Sequence, residues 1–163
     1  MPDMLVNLLR LPPLDAALDE LRSAGVVVRR AQAWELTQVR EFVAHHFSGA
    51  WADEISVGFS HQPVTVFVAL REGRLAGFAA YECTRKNFFG PTGVVERERG
   101  RGLGRALLLA SLRGLRELGY AYAIIGGVGP AEFYERAVGA RLIPDSTPGI
   151  YADPIRRDAE RQS

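Results

Sequence analysis

Residues 94–109 read Val-Val-Glu-Arg-Glu-Arg-Gly-Arg-Gly-Leu-Gly-Arg-Ala-Leu-Leu-Leu. A short apolar run meets an arginine-rich turn with glycines at 100, 102 and 104, and a helical pattern follows at once. Glycine lets the backbone approach a ligand closely and adopt angles closed to other residues. The first helical turn then offers unpaired N–H groups and the positive end of the helix dipole. Such a site suits an anion, phosphate above all, and Arg97, Arg99, Arg101 and Arg105 add positive charge around it. Two familiar phosphate loops are excluded by spacing. The dinucleotide fingerprint needs a further glycine where Arg105 stands, and the P-loop needs Gly-Lys-Ser/Thr at the helix start. A glycine-rich strand-to-helix turn without a ligand is the plain alternative.

The elements that must position this loop are legible as hydrophobic periodicity. Residues 14–24 carry leucines at 14, 18 and 21 on one helical face, after Pro12-Pro13 and before Gly25. Val26–Arg30 reads as a strand, Trp34–Phe47 as a helix with Leu36, Val39, Val43 and Phe47 on one side, and 51–59 as a short second helix. Val64–Leu70 and Leu75–Cys83 form a hairpin about the turn 71–74. Phe88–Val95 is a further strand interrupted by Gly90-Pro91-Thr92-Gly93. Proline donates no ladder hydrogen bond, so it marks an edge, a strand start or a bulge. Leu103–Leu118 is a helix stopped by Gly119, Tyr120–Ile125 a strand and Ala131–Val138 a helix. Short strands are expected at 141–143 and 150–152. The strands flanking the long helix are expected to be parallel, because a helical crossover joins them. The layout is mixed α/β.

The hexapeptide Arg99-Gly100-Arg101-Gly102-Leu103-Gly104 resembles the acetyl-coenzyme A signature Arg/Gln-x-x-Gly-x-Gly/Ala of the GCN5-related N-acetyltransferases. A second match, Phe133-Tyr134-Glu135-Arg136-Ala137-Val138-Gly139-Ala140, resembles that family's Phe-Tyr-Glu-Lys-x-Gly-Phe segment. The resemblance spans residues 26–144, with two departures. Gly126-Gly127-Val128-Gly129 stands where an asparagine is common, and the glycine after the tyrosine comes one residue late.

The resemblance implies the GNAT fold: a mixed central sheet of six to seven strands, a splayed parallel pair and flanking helices. It implies that the strands 93–95 and 123–125 part to admit the pantetheine arm. Acetyl-CoA is the implied cosubstrate, held by Val94, Val95, Arg99, Gly100, Arg101, Gly102, Leu103, Gly104 and Arg105. Tyr134 is implied as proton donor to the leaving thiolate. Glu82, at the end of the second hairpin strand, is the candidate base, with a solvated carboxylate as its alternative. His46 (with His45), Trp51, Asp53 and Glu54 lie in the acceptor-side segment, where an aromatic and acids suit a cationic amine; helix capping and plain packing are their alternatives. Residues 1–25 are expected as a helical extension packed on an acetyltransferase domain at 26–155, with a loose tail at 156–163.

Composition narrows the rest. The chain has 163 residues, 47% of them hydrophobic, and a formal net charge of +1. One domain with one core suits that length, and no bulk field draws it to nucleic acid or membrane. One cysteine, Cys83, excludes an internal disulfide, and three scattered histidines make no metal cluster, so no metal is expected. No apolar stretch is long enough to span a bilayer, and residues 1–6 lack a signal-peptide pattern. A soluble cytoplasmic protein, monomer or homodimer, is expected. The acceptor is expected to be a small-molecule primary amine. Residues 88–94 and 122–130 resemble a bacterial subgroup of the family that includes glucosamine and glucosaminide acetyltransferases, so an amino sugar is the first choice. A protein or peptide amine is the enzymatic alternative, and a coenzyme A-binding sensor without turnover is the alternative of another class.

Overall fold

The computed structural model describes residues 1–158. Strand β1 (Met4–Asn7) opens the chain, followed by α1 (Asp15–Ser23), β2 (Val26–Arg30), α2 (Leu36–His46) and α3 (Gly49–Gly58). The hairpin β3 (Val66–Arg71) and β4 (Arg74–Tyr81) precedes β5 (Phe88–Val94). Helix α4 (Leu103–Glu117), β6 (Tyr122–Ile125), α5 (Ala131–Val138) and β7 (Arg141–Leu142) complete the order. The sheet has seven strands in the order β2-β3-β4-β5-β6-β1-β7. Every neighbouring pair is antiparallel except β5 and β6, which are parallel as the helical crossover requires. This is the expected mixed sheet with a parallel pair and flanking helices. No helix of the described residues is long and apolar enough to cross a membrane.

Both sheet faces are covered, and strand alternation divides the core in two. Val66, Val68, Phe78 and Ala80 pack with Val39, Val43, Ala52 and Ile55 of α2 and α3. Ala79 and Tyr81 pack on the other face with Leu107, Leu112 and Leu115 of α4. Each fully buried leucine of α4 contributes about 1.5–3 kcal/mol of apolar burial. That packing fixes the helix, and with it the glycine loop at its N-terminal end.

Two expectations need correction. Residues 1–25 are not only a helical extension: Met4–Asn7 form a strand seated between β6 and β7, with Met4 opposite Ile125 and Val6 opposite Ala123. Residues 150–152 are not a strand; Gly149–Tyr151 form a turn of 3-10 helix. The parallel strands meet at Phe88↔Ile124 and Phe89↔Ile125, and residues 93–95 pair with β4 rather than β6. Of the expected loose tail at 156–163, residues 159–163 lie outside the described residues.

Candidate active site

The parallel pair is held only at Phe88↔Ile124 and Phe89↔Ile125, and beyond them the strands part. On its other side β5 stays with β4, through Ala79↔Thr92, Phe78↔Gly93 and Gly77↔Val94, after a register shift opposite Gly90-Pro91. The proline therefore sits at a bulge, as its missing donor demands. The Val95 N–H donates to Ala76 O across this ladder at 2.9 Å. Alternation then turns the Val94 N–H away from β4, into the gap between β5 and the 126–130 segment. The gap is a cavity of about 650 Å³, lined by Phe89–Val94, Gly126–Pro130, Phe133, Tyr134 and the glycine loop.

The loop begins with a 3-10 turn at Glu96–Glu98 and is braced by Arg99 Nε, which donates to Val94 O at 3.0 Å. Gly100 and Gly102 take φ of +76° and +87°, angles that L side chains avoid. A Cβ at either would meet nothing within 4 Å, so the space above them is open. The first bond of α4 runs from Ala106 N–H to Gly102 O at 3.1 Å. The N–H groups of Leu103, Gly104 and Arg105 therefore have no partner inside the helix. A phosphate fits this open, donor-rich turn. Below it, Glu98 is buried and accepts from Arg71 Nε and Nη2 at 2.7 and 3.0 Å.

Tyr134 stands on α5, only 6% exposed, in the wall of the same cavity. Its ring meets Phe89 and Phe133 edge-on. Burial pushes its pKa up to about 12, so the phenol keeps its proton. The late glycine has a local cause: Gly139 ends α5 in the left-handed conformation.

A second cavity of about 360 Å³ adjoins the first and shares the walls Trp51, Phe89, Gly90, Pro91, Gly126 and Gly127. Its own lining adds Glu54, Thr84, Thr147, Pro148 and Tyr151. Trp51 stacks on Phe47 at 5.7 Å between centroids. Thr84 Oγ1 donates to Glu54 Oε1. Glu54 is the single carboxylate of this lining, and the larger cavity has Glu98, already paired with Arg71.

The structure brings Val94, Arg99, Gly100, Gly102, Gly104, Arg105 and Tyr134 to the larger cavity, with Trp51 shared and Glu54 next door. It leaves the other expected residues outside both linings. Val95 is buried beside β4, Leu103 is in the core, and Arg101 points toward Glu98 at 3.9 Å. Glu82 follows the last residue of β4 with φ +57°, and its Oε2 accepts from Asn87 N–H at 2.9 Å. The same carboxylate raises the pKa of Tyr120 through a hydrogen bond, and neither residue lines either cavity. His46 packs its ring on Phe42 at 4.8 Å, and lost solvation together with the His45 and Arg97 charges lowers its pKa. Asp53 pairs on the surface with Arg40. The Cys83 thiol is buried and pushed up to about 12, which suits an inert core group. Sequence reasoning missed Glu98, Thr84 and Tyr151. The first two sit beside turns without periodicity, and nothing local marks the third.

The family model of the acetyltransferase (GNAT) family matches residues 28–140. A mycothiol acetyltransferase from Thermobispora bispora is 35% identical over 103 residues, covering 56% of this chain and 35% of that protein. The chain thus spans about a third of the length of that relative. Among solved structures, a GCN5-related N-acetyltransferase from Sphaerobacter thermophilus superposes with a TM-score of 0.67 at 20% identity, over 87% of this chain and 48% of that one. The GCN5-related glucosamine N-acetyltransferase region of a fungal multi-domain GH3 beta-N-acetylglucosaminidase gives 0.70 at 16% identity, over 87% of this chain and 19% of that one. Both likenesses establish the shared fold.

Proposed function

The chain belongs to the GNAT acetyltransferase family, and from that premise we propose that it moves an acetyl group from acetyl-CoA to the primary amine of a small molecule. One observation carries the reading. The parted β5–β6 edge, the donor-rich glycine loop and a protonated buried tyrosine line one continuous cavity.

The unpaired N–H groups at the start of α4 take the pyrophosphate of acetyl-CoA, with Arg99 and Arg105 close by. The free edge of β5, including the Val94 N–H, pairs with the amides of the pantetheine arm. In the transfer step the neutral amine attacks the thioester carbonyl. The N–C bond forms, the C–S bond breaks, and the electron pair leaves on sulfur. Tyr134 gives its phenolic proton to the thiolate and regains one from solvent. The proton lost by the amine goes to Glu54, directly or through one water. Glu54 takes the role expected of Glu82, since it is the carboxylate that faces the acceptor cavity.

An amino sugar is the acceptor of first choice. Its ammonium suits Glu54, its hydroxyls suit Thr84 and Thr147, and its C–H face suits Trp51. The test is thiol release from acetyl-CoA across a panel of amines, starting with glucosamine and including basic peptides. Transfer to small amines is expected; transfer to peptides alone would overturn the acceptor class.

A further inference from the structure

The outer wall of the smaller cavity comes from the far end of the chain, and one buried residue ties it down. Asp3 is only 8% exposed. Its N–H donates to Ser146 Oγ at 2.8 Å, and its carbonyl accepts from Ile143 N–H at 2.9 Å. Ser146 Oγ in turn donates to Ile143 O at 2.7 Å. The Asp3 carboxylate accepts from Gly127 N–H at 2.8 Å, and Pro2 O accepts from Val128 N–H at 2.8 Å. Three remote segments thus meet at one residue: the backbone of Asp3 holds the stretch from Ile143 to Ser146, and its carboxylate holds the Gly126–Gly127 turn. The ring of Tyr151 lies over the same turn, where a Cβ at Gly127 would come within 3.4 Å of it. Tyr151 faces the cavity that holds Glu54 and Trp51.

Resting on the acetyl-transfer reading above, we propose that the acceptor amine lies between Trp51 and Tyr151 with its nitrogen against Glu54, and that Asp3 positions Tyr151 and thereby sets which acceptors fit. Asp3 touches no reacting atom; it acts by holding the 143–151 stretch against the turn that walls both cavities. The Tyr151 phenol has its pKa raised by burial first and then by the Glu54 and Asp3 charges, consistent with this geometry.

The test uses the full chain, acetyl-CoA and the best amine of the panel. Tyr151 is half-exposed, so Tyr151→Ala is expected to fold, and thermal unfolding checks it. Loss of the aromatic wall is expected to raise the acceptor KM about ten-fold, while kcat and the KM for acetyl-CoA hold. Tyr151→Phe restores the ring and is expected to recover most of the acceptor KM that Tyr151→Ala loses. Asp3→Ala removes one positioning hydrogen bond and is expected to raise the acceptor KM roughly five-fold, whereas Asp3→Asn keeps Oδ1 for Gly127 N–H and restores it. An acceptor KM unchanged in both alanine variants, with transfer intact, would overturn this inference alone. A parent protein that neither binds coenzyme A nor releases thiol would overturn the acetyl-transfer reading and this inference with it.

Discussion

Glu98 and Arg71 join the glycine loop to the end of β3: both carboxylate oxygens accept from the guanidinium, whose third nitrogen donates to Ala24 O at 2.9 Å. The pair links the C-terminal end of α1, the sheet and the glycine turn before α4. The Arg71 guanidinium holds the Glu98 carboxyl below its ordinary range. A carboxylate with a depressed folded pKa adds stability above its unfolded pKa, and that stability is lost as pH falls through the folded value. Glu98→Gln is therefore expected to lower Tm at neutral pH and to narrow the gap to the parent in acid. Its affinity for coenzyme A should fall as well. Thermal scans from neutral pH into acid and calorimetric titration check both outcomes.

The second prediction concerns the loop itself. With Gly102 at φ +87°, any L residue there costs about 1–2 kcal/mol of strain. Gly102→Ala isolates that cost and should lower Tm by several degrees. Gly102→Asp adds a negative charge where phosphate oxygens are to lie, and about 1.4 kcal/mol of repulsion already weakens binding ten-fold. Calorimetry with coenzyme A should show a loss of at least that size relative to Gly102→Ala. Equal affinity in the two variants would remove the pyrophosphate from this turn.

Tyr134→Phe keeps the edge-on contacts with Phe89 and Phe133 and removes only the hydroxyl. Turnover should fall by roughly ten- to ten-thousand-fold, the range of a general acid, with coenzyme A affinity unchanged. Because burial pushes the phenol up to about 12, its neutral form prevails through the ordinary working range. The pH–rate curve of the parent should therefore show no falling limb from Tyr134 there. A variant within a factor of two of the parent would assign the thiolate proton to water.

How much of this was legible follows from what each residue depends on. Helix α4 and the loop before it rest on local rules: leucines at 107, 112 and 115 on one buried face and glycines at positive φ. Tyr134 follows from a local string on an apolar helix. Strand β1 was hidden because four residues, Met-Leu-Val-Asn, give no clear alternation and gain their place only by pairing with β6 and β7. The surroundings of Glu82 were not legible because β4 ends at Tyr81: at positive φ its carboxylate accepts from the Asn87 N–H, outside both cavity linings. Tyr151 was invisible because the stretch that carries it meets β1 through contacts such as Asp3 N–H to Ser146 Oγ, which spans a separation of 143 residues.

The exchange of Glu82 for Glu54 gives the last prediction. Glu54 stands within α3 and Glu82 just past the end of β4, and their surroundings differ. Glu82 already accepts from the Asn87 N–H and lies outside both cavities, whereas Glu54 lines the smaller cavity and takes its hydrogen bond from Thr84. A base must reach the proton that it removes. Glu54→Gln is therefore expected to lower kcat/KM for the amine by roughly a hundred- to ten-thousand-fold, within the range of general base catalysis. The loss should be greatest on the acidic side, where a protonated amine most needs an acceptor for its proton. Glu82→Gln should stay within a factor of two at every pH, with a lower Tm from the weakened Asn87 contact. Thiol-release rates across pH for the two variants decide between them. A loss confined to Glu82→Gln would mean that the acceptor approaches Glu82 outside the two cavities, and Trp51 and Tyr151 would then be walls of a cavity that the amine does not use.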